Sequence, residues 1–208
     1  MNRIALLLLL TSFAAPATAQ DPASIFKPEV RVGDSWTYRS KNVLENGAHT
    51  YELRVERSDG KTILAVGTRK GDEKEFDGTF TSEWNPVVGI SGLIFTPPPS
   101  FFSFPMQAGD ARTLAYSSSR PRANIPATRY DSQVRVVGWE EVTVPAGTFH
   151  AMKVVAEGTF FPPFARGPAK IRFTYWYAPQ VRRWVKFTFE TPTTEANEEL
   201  LEYKLNEN

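Results

Sequence analysis

Residues 140–155, EEVTVPAGTFHAMKVV, predict a β-hairpin and with it the class of the fold. Pro145 at the second turn position fixes its own φ angle, and Gly147 at the fourth suits a type I turn closed by a left-handed residue. This combination is the three-residue loop with a glycine bulge. It predicts that Val144 lies opposite Thr148, and that the strands run away from the turn in that register.

The predicted pairing puts apolar side chains on both faces of the hairpin. One predicted face holds Val142, Val144, His150, Met152 and Val154. The other holds Val137, Trp139, Phe149, Ala151 and Val155. The same register places the Lys153 ammonium beside the ring of Trp139. Because a sheet that packs on one side shows one polar face, such strands favour a curved sheet or barrel. Its second face would then meet a covering segment, a partner or a ligand.

Alternation of apolar and polar residues continues through most of the chain. HTYELRVER (49–57) and KTILAVGTR (61–69) flank Asp59-Gly60 and predict another hairpin. Further segments alternate likewise, at 111–119, 132–144, 148–158, 169–178, 181–190 and 199–205. No stretch shows a helical stripe. The sequence therefore predicts an all-β chain, with residues 20–208 as a single domain. An antiparallel meander would form a curved sheet, half-barrel or barrel.

The first twenty residues, MNRIALLLLLTSFAAPATAQ, predict a secretory signal peptide. Arg3 supplies the positive charge, and residues 4–10 form an apolar core too short to span a bilayer as a helix. Ala17 and Ala19 are the small residues that the cleavage site requires. We expect cleavage after Ala19, which removes residues 1–19. The expected location is the bacterial periplasm, with secretion as the alternative.

Charge and cysteine content exclude several classes of function. The sequence holds 24 Lys and Arg and 23 Asp and Glu, and the signal peptide removes Arg3, so the mature chain is close to neutral. A neutral chain does not attract nucleic acid electrostatically, and no later segment is apolar enough to span a membrane. Cysteine is absent. Its absence excludes disulfides, thiolate metal sites, a cysteine nucleophile and the acylated cysteine of a bacterial lipoprotein.

Motifs for catalysis or cofactor binding are missing from the sequence. There is no GxSxG elbow, P-loop or GxGxxG, and His49 and His150 lack the further ligands that a zinc site needs. We expect no cofactor, no metal and no catalytic residue, and interpret His150 as hydrogen-bonded or half-exposed on a β-face. Carboxylates such as Asp131, Glu140 and Glu141 leave open the hypothesis that the protein is a hydrolase, although acidic side chains at strand positions are usually solvated.

Two segments rich in phenylalanine and proline interrupt the strands: FTPPPSFFSFP (95–105) and TFFPPFARGP (159–168). Proline cannot donate to a β-ladder, so both segments are predicted to be loops. In one interpretation they fold over one end of the sheet and close its core. In the other they line the mouth of an apolar cavity or contact a hydrophobic partner.

Three segments carry a resemblance to known proteins: GDSWTY (33–38), VGWEEVTVPAGTFHAMKV (137–154) and TYWYAPQVRRWVKFTFE (174–190). They resemble uncharacterised exported bacterial proteins of the DUF3108 type, which carry a Val-Pro-Ala-Gly-Thr-Phe hairpin followed by Tyr-Trp-Tyr-Ala-Pro. The resemblance covers under half of the chain and departs at Arg182, where glycine is expected. It implies a β-rich half-barrel or barrel, related in architecture to the periplasmic lipoprotein carriers LolA and LolB. It implies no catalytic residues.

These patterns favour a non-enzymatic periplasmic protein that binds a hydrophobic or lipid-like ligand. The alternative is an interaction or structural module of the envelope whose aromatic loops dock on another protein. A hydrolase acting on a glycan or a lipid is the third hypothesis. The residues expected to contact a ligand are aromatic: Trp139, Trp176, Tyr177, Trp184, Phe101, Phe102, Phe160 and Phe161. For each of them the alternative role is packing in the core.

Overall fold

The computed structural model describes residues 23–42, 47–71, 75–89, 92–120 and 126–207. The predicted signal peptide lies outside the described residues, so its presence and its cleavage stay predictions. Within the described ranges, no helix has the length and the apolar character that crossing a membrane requires.

The described residues form twelve β-strands that follow one another around a closed barrel. In chain order they are β1 (Ser35–Asn42), β2 (Ala48–Ser58), β3 (Thr62–Arg69), β4 (Glu75–Thr81), β5 (Pro86–Val88), β6 (Ile94–Thr96), β7 (Ala111–Ser119), β8 (Thr128–Val144), β9 (Gly147–Phe161), β10 (Ala169–Ala178), β11 (Arg183–Glu190) and β12 (Glu195–Lys204). Each strand pairs antiparallel with the next along the chain, and β1 pairs with β12, which closes the sheet. The predicted all-β antiparallel meander is confirmed, in its barrel form.

Regular alternation forms the long strands and buries one of their faces. In β2, Tyr51, Leu53 and Val55 are buried while the residues between them are exposed. The turn that follows is held by Asp59, whose Oδ1 accepts the backbone N–H of Thr62 at 2.7 Å. Because β2 then pairs with β3, the hairpin predicted at this place is confirmed.

Three strands, β4, β5 and β6, have no counterpart among the predicted ones. β5 and β6 contain three residues each, which is too short for alternation to be recognised. β6 includes residues 95–96 and the end of β9 includes residues 159–161. These residues were predicted to belong to loops, and that part of the prediction is wrong. The prolines that interrupt pairing follow these residues, so the preceding phenylalanines can still belong to a ladder.

The hairpin between β8 and β9 has a register that differs by one residue from the predicted one. Val144 pairs with Gly147 instead of Thr148, and Val142 pairs with Phe149. The loop therefore holds two residues and not three. A β-bulge after Val136 further shifts the alternation along β8, so the faces cannot be read from a simple period of two.

The predicted division of the hairpin into two faces is wrong for the same reason. Phe149 is buried and His150 is exposed. The backbone N–H of Ala146 donates to Leu200 O at 3.0 Å, and the Phe149 ring packs edge-on against Tyr203 at 6.2 Å. Both partners lie on β12. Contacts with β12, which is distant in sequence, thus favour the observed register, although the turn sequence by itself predicts a three-residue loop.

A segment between β6 and β7, residues 97–106, folds into the barrel; we call it the plug segment. Its Phe101 ring contacts both Tyr116 on β7, at 6.0 Å, and Phe173 on β10, at 5.3 Å. Since β8 and β9 separate these strands in the sheet, a ring that reaches both lies inside the barrel. Phe101 and Phe102 are buried. The plug segment thus fills the core from inside the barrel, whereas one interpretation predicted that both phenylalanine-rich segments fold over an end of the sheet. In the second segment, Phe161 and Phe164 are exposed.

Two polar side chains accompany the plug segment into the interior. Asn85 Nδ2 donates to Phe102 O at 2.8 Å, and Asn85 Oδ1 accepts the Phe102 N–H at 2.9 Å. The Arg112 guanidinium donates to Ser100 O at 2.7 Å and to Phe101 O at 2.6 Å. These bonds supply partners for backbone groups that are removed from water, as buried polar groups require.

We expect Phe102→Ala to lower the free energy of unfolding by about 3 to 5 kcal/mol, because truncating a fully buried phenylalanine leaves a cavity. Urea unfolding followed by tryptophan fluorescence measures the change. The matched control is Phe164→Ala, since Phe164 is 85% exposed and should change stability by less than about 0.5 kcal/mol. Small and equal losses in both variants would contradict the packing of Phe102 inside the barrel.

Candidate functional site

The two ends of the barrel carry different side chains. At one end, the closed end, β1 and β11 begin and β10 ends. Its central residues are Trp36, Trp84, Arg183 and Trp184. At the opposite end, the mouth, β8 begins and β9 and β11 end. Six half-buried aromatic residues define the mouth: Phe95, Tyr130, Phe160, Phe173, Phe187 and Phe189.

At the closed end, two tryptophans hold the turn that joins β10 to β11. This turn contains the short 3-10 helix Pro179–Val181. Trp36 Nε1 donates to Val181 O at 2.8 Å, and Trp84 Nε1 donates to Arg182 O at 2.9 Å. The indole N–H groups thereby satisfy carbonyl groups that the turn leaves without a ladder partner. The closed end is fixed by hydrogen bonds as well as by packing.

Arg182 stands where the resemblance predicts glycine, and its backbone explains that expectation. Its φ of 61° lies in the left-handed region, which favours glycine. The Arg182 Nη1 lies 3.1 Å from Oδ1 and 3.0 Å from Oδ2 of Asp34, which is completely buried. A buried carboxylate requires a partner. The ion pair therefore gives a reason for an arginine at this position.

The next residue, Arg183, is a buried cation enclosed by aromatic rings, an arrangement we call the aromatic cage. Its side chain is 2% exposed. Its Cζ lies 3.7 Å from the ring centroid of Trp184 and 4.1 Å from that of Trp84. Three more rings lie between 5.5 and 5.8 Å away: Trp36, Phe80 and Tyr38. The ring faces stabilise the positive charge of the guanidinium.

The aromatic cage was not predicted from the sequence. In QVRRWVK, Arg182 and Arg183 are adjacent, and alternation does not tell which of them enters the interior. One usable signal was Trp184, which directly follows Arg183, because an aromatic ring close to an arginine favours a cation–π contact. The sequence alone does not bring these residues together.

Glu198 on β12 is a second ionisable group that faces the interior. It pairs with Phe187, whose ring lies 4.8 Å from that of the buried Tyr175. Burial raises the pKa of Glu198, while a hydrogen bond with Tyr51 and the charge of Arg183 act in the opposite direction and are outweighed. The folded protein therefore favours the protonated, neutral form of this carboxyl more than the unfolded chain does.

The rings of the mouth continue those of the interior. Phe173 lies 5.3 Å from Phe101 of the plug segment, and Phe189 lies 5.3 Å from Phe173. On the other side of the mouth, Tyr130 stacks on the buried Tyr116 at 4.6 Å. Half-exposed apolar surface is thus continuous with the core, in the way that an apolar ligand site requires.

A surface recess of about 560 Å³ lies at the same end of the barrel as the mouth. It is lined by residues 157–159 of β9, residues 170–172 of β10 and residues 190–192 at the end of β11. These residues directly adjoin Phe160 and Phe189 in the chain. The recess therefore lies near the mouth, although none of the six aromatic residues of the mouth lines it.

The structure brings together half of the residues predicted to contact a ligand. Those inside the barrel are Phe101, Phe102, Tyr177 and Trp184. The Phe102 ring links the last two, at 5.6 Å from Tyr177 and 6.0 Å from Trp184. Phe160 belongs to the mouth. Phe161 is 38% exposed and lies beneath the Arg129 guanidinium, 5.0 Å from its carbon.

Trp139 and Trp176 lie apart from this interior group. Trp176 occupies the face of β10 opposite to Tyr175, and Lys153 Nζ lies 5.4 Å from its ring centroid. The prediction that Lys153 lies beside Trp139 is wrong. Trp139 instead stacks on His150 at 4.7 Å, because the shifted hairpin register places those two rings diagonally across the strands.

No protein-family model matches the chain, and no curated protein matches it. The chain is similar in structure to a candidate lipoprotein of Parabacteroides distasonis ATCC 8503, with a TM-score of 0.56 and 15% identity over 89% of this chain and 100% of that one. It is also similar to a candidate exported protein with a YmcC-like fold from Bacteroides fragilis NCTC 9343. That match has a TM-score of 0.56 and 16% identity, and it covers 87% of this chain and 99% of the other. The hypothetical lipoprotein YmcC of Escherichia coli matches with a TM-score of 0.45 and 11% identity, over 81% of this chain and 84% of the other. At these identities the first two likenesses show a shared fold. The resemblance to DUF3108 proteins stays a prediction.

We expect Glu198→Gln to stabilise the protein at neutral and alkaline pH. Because the folded-state pKa of Glu198 lies above its usual 4.5, the native state holds the proton more tightly. Wild-type stability therefore falls as the pH rises through the interval between the two values. Glutamine keeps the neutral form at every pH. Thermal unfolding should show similar midpoints for both proteins near pH 4 and a higher midpoint for the variant near pH 8.

The control is Glu52→Gln, because Glu52 is exposed on β2 and its substitution should give no pH-dependent gain. If Glu198→Gln is less stable than the wild type at the higher pH, the carboxylate is ionised and paired in the folded barrel. That result would reverse the direction assigned to its pKa.

Proposed function

We propose that this chain, which shares its fold with exported bacterial proteins, is a non-enzymatic periplasmic protein that binds a hydrophobic or lipid-like ligand at its mouth. The observation that carries the proposal is the set of six half-buried aromatic rings there, four of which pack directly against the buried core. Apolar surface gathered at one end of a barrel is typical of a ligand site. The predicted signal peptide supports the location.

The mouth offers both favourable energy and a fixed geometry. Covering a phenylalanine that is half-buried contributes about 1 kcal/mol, since complete burial of such a side chain is worth roughly 1.5 to 3 kcal/mol. Several rings together can therefore offset the entropy lost on association. The rings of Phe173 and Phe187 stand on paired strands, so little further ordering is needed when a ligand binds.

Glu140, one of the carboxylates that left the hydrolase hypothesis open, does not have the electrostatic property of a general acid. A general acid needs a raised pKa. At Glu140, partial burial acts to raise the pKa, but hydrogen bonds from Trp176 and Lys153 and the charge of Lys153 outweigh it and hold the pKa below the usual value. Among the described residues, no cluster of three His, Asp or Glu side chains could hold a metal ion.

Native mass spectrometry and organic extraction of the purified protein test the proposal, together with titration of the neutral dye N-phenyl-1-naphthylamine. We expect a bound amphiphile in the extract and saturable dye uptake. The double variant Phe187→Ser with Phe189→Ser should weaken dye binding by about tenfold or more, because it removes two rings of the mouth. Competition with the extracted amphiphile should displace the dye.

The matched control is Phe26→Ser. Phe26 is 75% exposed, and its neighbour Ile25 pairs with Met106 of the plug segment, away from the mouth. Dye binding by this variant should equal that of the wild type. A protein that yields no bound species and takes up no dye would contradict the proposal, as would equal weakening by the control.

A second candidate function is an interaction module of the envelope, favoured by the β9–β10 loop. There Phe164 is 85% exposed and Phe161 is 38% exposed. Cross-linking in cells should then identify an envelope protein whose capture is lost in Phe161→Ser with Phe164→Ser, while dye binding stays unchanged. Loss of dye binding in this variant would assign the loop to the ligand site instead.

A further inference from the structure

Arg183 carries a charge that the described protein groups leave incompletely satisfied. None of the ion pairs between described residues includes it. Tyr38 forms a side-chain hydrogen bond with Arg183, but the Nε and Nη1 atoms are buried and have no hydrogen-bond acceptor among those residues. An ionised group removed from water without such partners is strongly unfavourable. The arrangement therefore points to an acceptor supplied from outside the chain.

The aromatic cage stabilises the charge of the Arg183 guanidinium but does not provide hydrogen-bond acceptors for its Nε and Nη1 atoms. The rings of Trp84 and Trp184 interact with the charge through their faces. The N–H groups lie in the guanidinium plane, and they need oxygen or another acceptor. Tyr177, which pairs with Trp184 across β10 and β11, has a buried hydroxyl that also lacks a partner. The closed end thus has an excess of hydrogen-bond donors.

A continuous path of aromatic rings connects this donor-rich region to the mouth. Trp184 lies 5.5 Å from Tyr175, and Tyr175 lies 4.8 Å from Phe187. From Phe187 the path continues to Phe173 at 6.4 Å and to Phe189 at 5.3 Å from Phe173. From Trp184 to Phe189, β11 advances by about 16 Å at roughly 3.3 Å per residue. A long acyl chain can span this distance.

We propose that Arg183 binds the negatively charged head group of an amphiphilic ligand, while the tail of the same molecule lies along the ring path toward the mouth. The shared chemistry is an anionic oxygen, either a carboxylate or a phosphate monoester, which accepts charge-assisted hydrogen bonds from a guanidinium. This inference rests on the proposed function and names the class of its ligand.

The plug segment must be displaced before such a ligand can enter the barrel and reach Arg183. Phe102 stacks on Trp184 at 6.0 Å and contacts Tyr175 at 5.1 Å, so its ring lies beside the path. The head group reaches Arg183 when Phe102 moves aside. Residues 97–106 form no strand pairing apart from the single bridge at Met106, and their displacement leaves the ladders of the barrel intact.

Three ligands of equal chain length test the inference on the native protein: tetradecanoate, tetradecyl phosphate and tetradecanol, measured by isothermal titration calorimetry below their micelle concentrations. At least one of the anions should bind about tenfold or more tightly than the alcohol, as expected for hydrogen bonds to a charged group. The anion that binds more tightly identifies the head group. Equal affinities for all three ligands overturn the inference and leave the proposed function standing. Absence of binding by all three overturns both.

Two variants separate the buried arginine from a basic residue at the mouth. In Arg183→Met the preference for the anion should disappear, while the alcohol binds as before. In the control Arg129→Met, which removes a cation beside Phe161, the preference should persist. The opposite pattern places the head group at the mouth and overturns the inference.

Quenching locates the head group without any substitution. Tryptophans surround Arg183 at the closed end, so a bromine next to the carboxylate of tetradecanoate should quench their fluorescence strongly. A bromine at the far end of the chain should quench weakly. Stronger quenching by the terminal bromine means that the ligand lies in the reverse orientation, which contradicts the inference even if Arg183→Met fails to fold.

Discussion

A closed sheet of twelve strands encloses more space than its own side chains can fill, and the plug segment meets that constraint. Eight strands already give an interior that side chains just fill. Here Phe101 and Phe102 enter the barrel from the β6–β7 connection and contact β7, β10 and β11. Asn85 and Arg112 bond the backbone of the inserted residues. The packing of these three wall strands depends on this insertion.

The insertion also makes the two ends of the barrel unequal. Near the closed end, the ion pair of Asp34 with Arg182 and the indole bonds of Trp36 and Trp84 tie the turn to the wall. At the mouth, rings such as Phe189 meet neighbouring rings and remain half-exposed. Hydrogen bonds and an ion pair fix the turn at the closed end, while contacts between aromatic rings predominate at the mouth. The proposed ligand site lies at the end where half-exposed rings gather.

The sequence predicts strands well where alternation is long and regular, and less well where distant contacts decide. β7 and β10 have the bounds predicted for them. The register of the β8–β9 hairpin depends on the bond from Ala146 to Leu200, which no local pattern contains. Composition identified the two phenylalanine-rich segments. Whether their side chains pack inside the barrel or remain outside it depends on the width of the barrel. Likewise, the left-handed backbone conformation of Arg182 directs the next side chain, Arg183, into the interior. The sequence does not distinguish these two adjacent arginines.

Closure of the barrel joins the first strand to the last. Ser35 pairs with Lys204, and Asn42 pairs with Ala196. During synthesis β1 is made long before its partner, so its outer edge stays without a ladder until β12 has been made. Unpaired edges invite association with other chains, and pairing over such sequence separations is slow. A chain truncated before β12 would leave the outer edges of β1 and β11 unpaired, and such edges are sites of association with other chains.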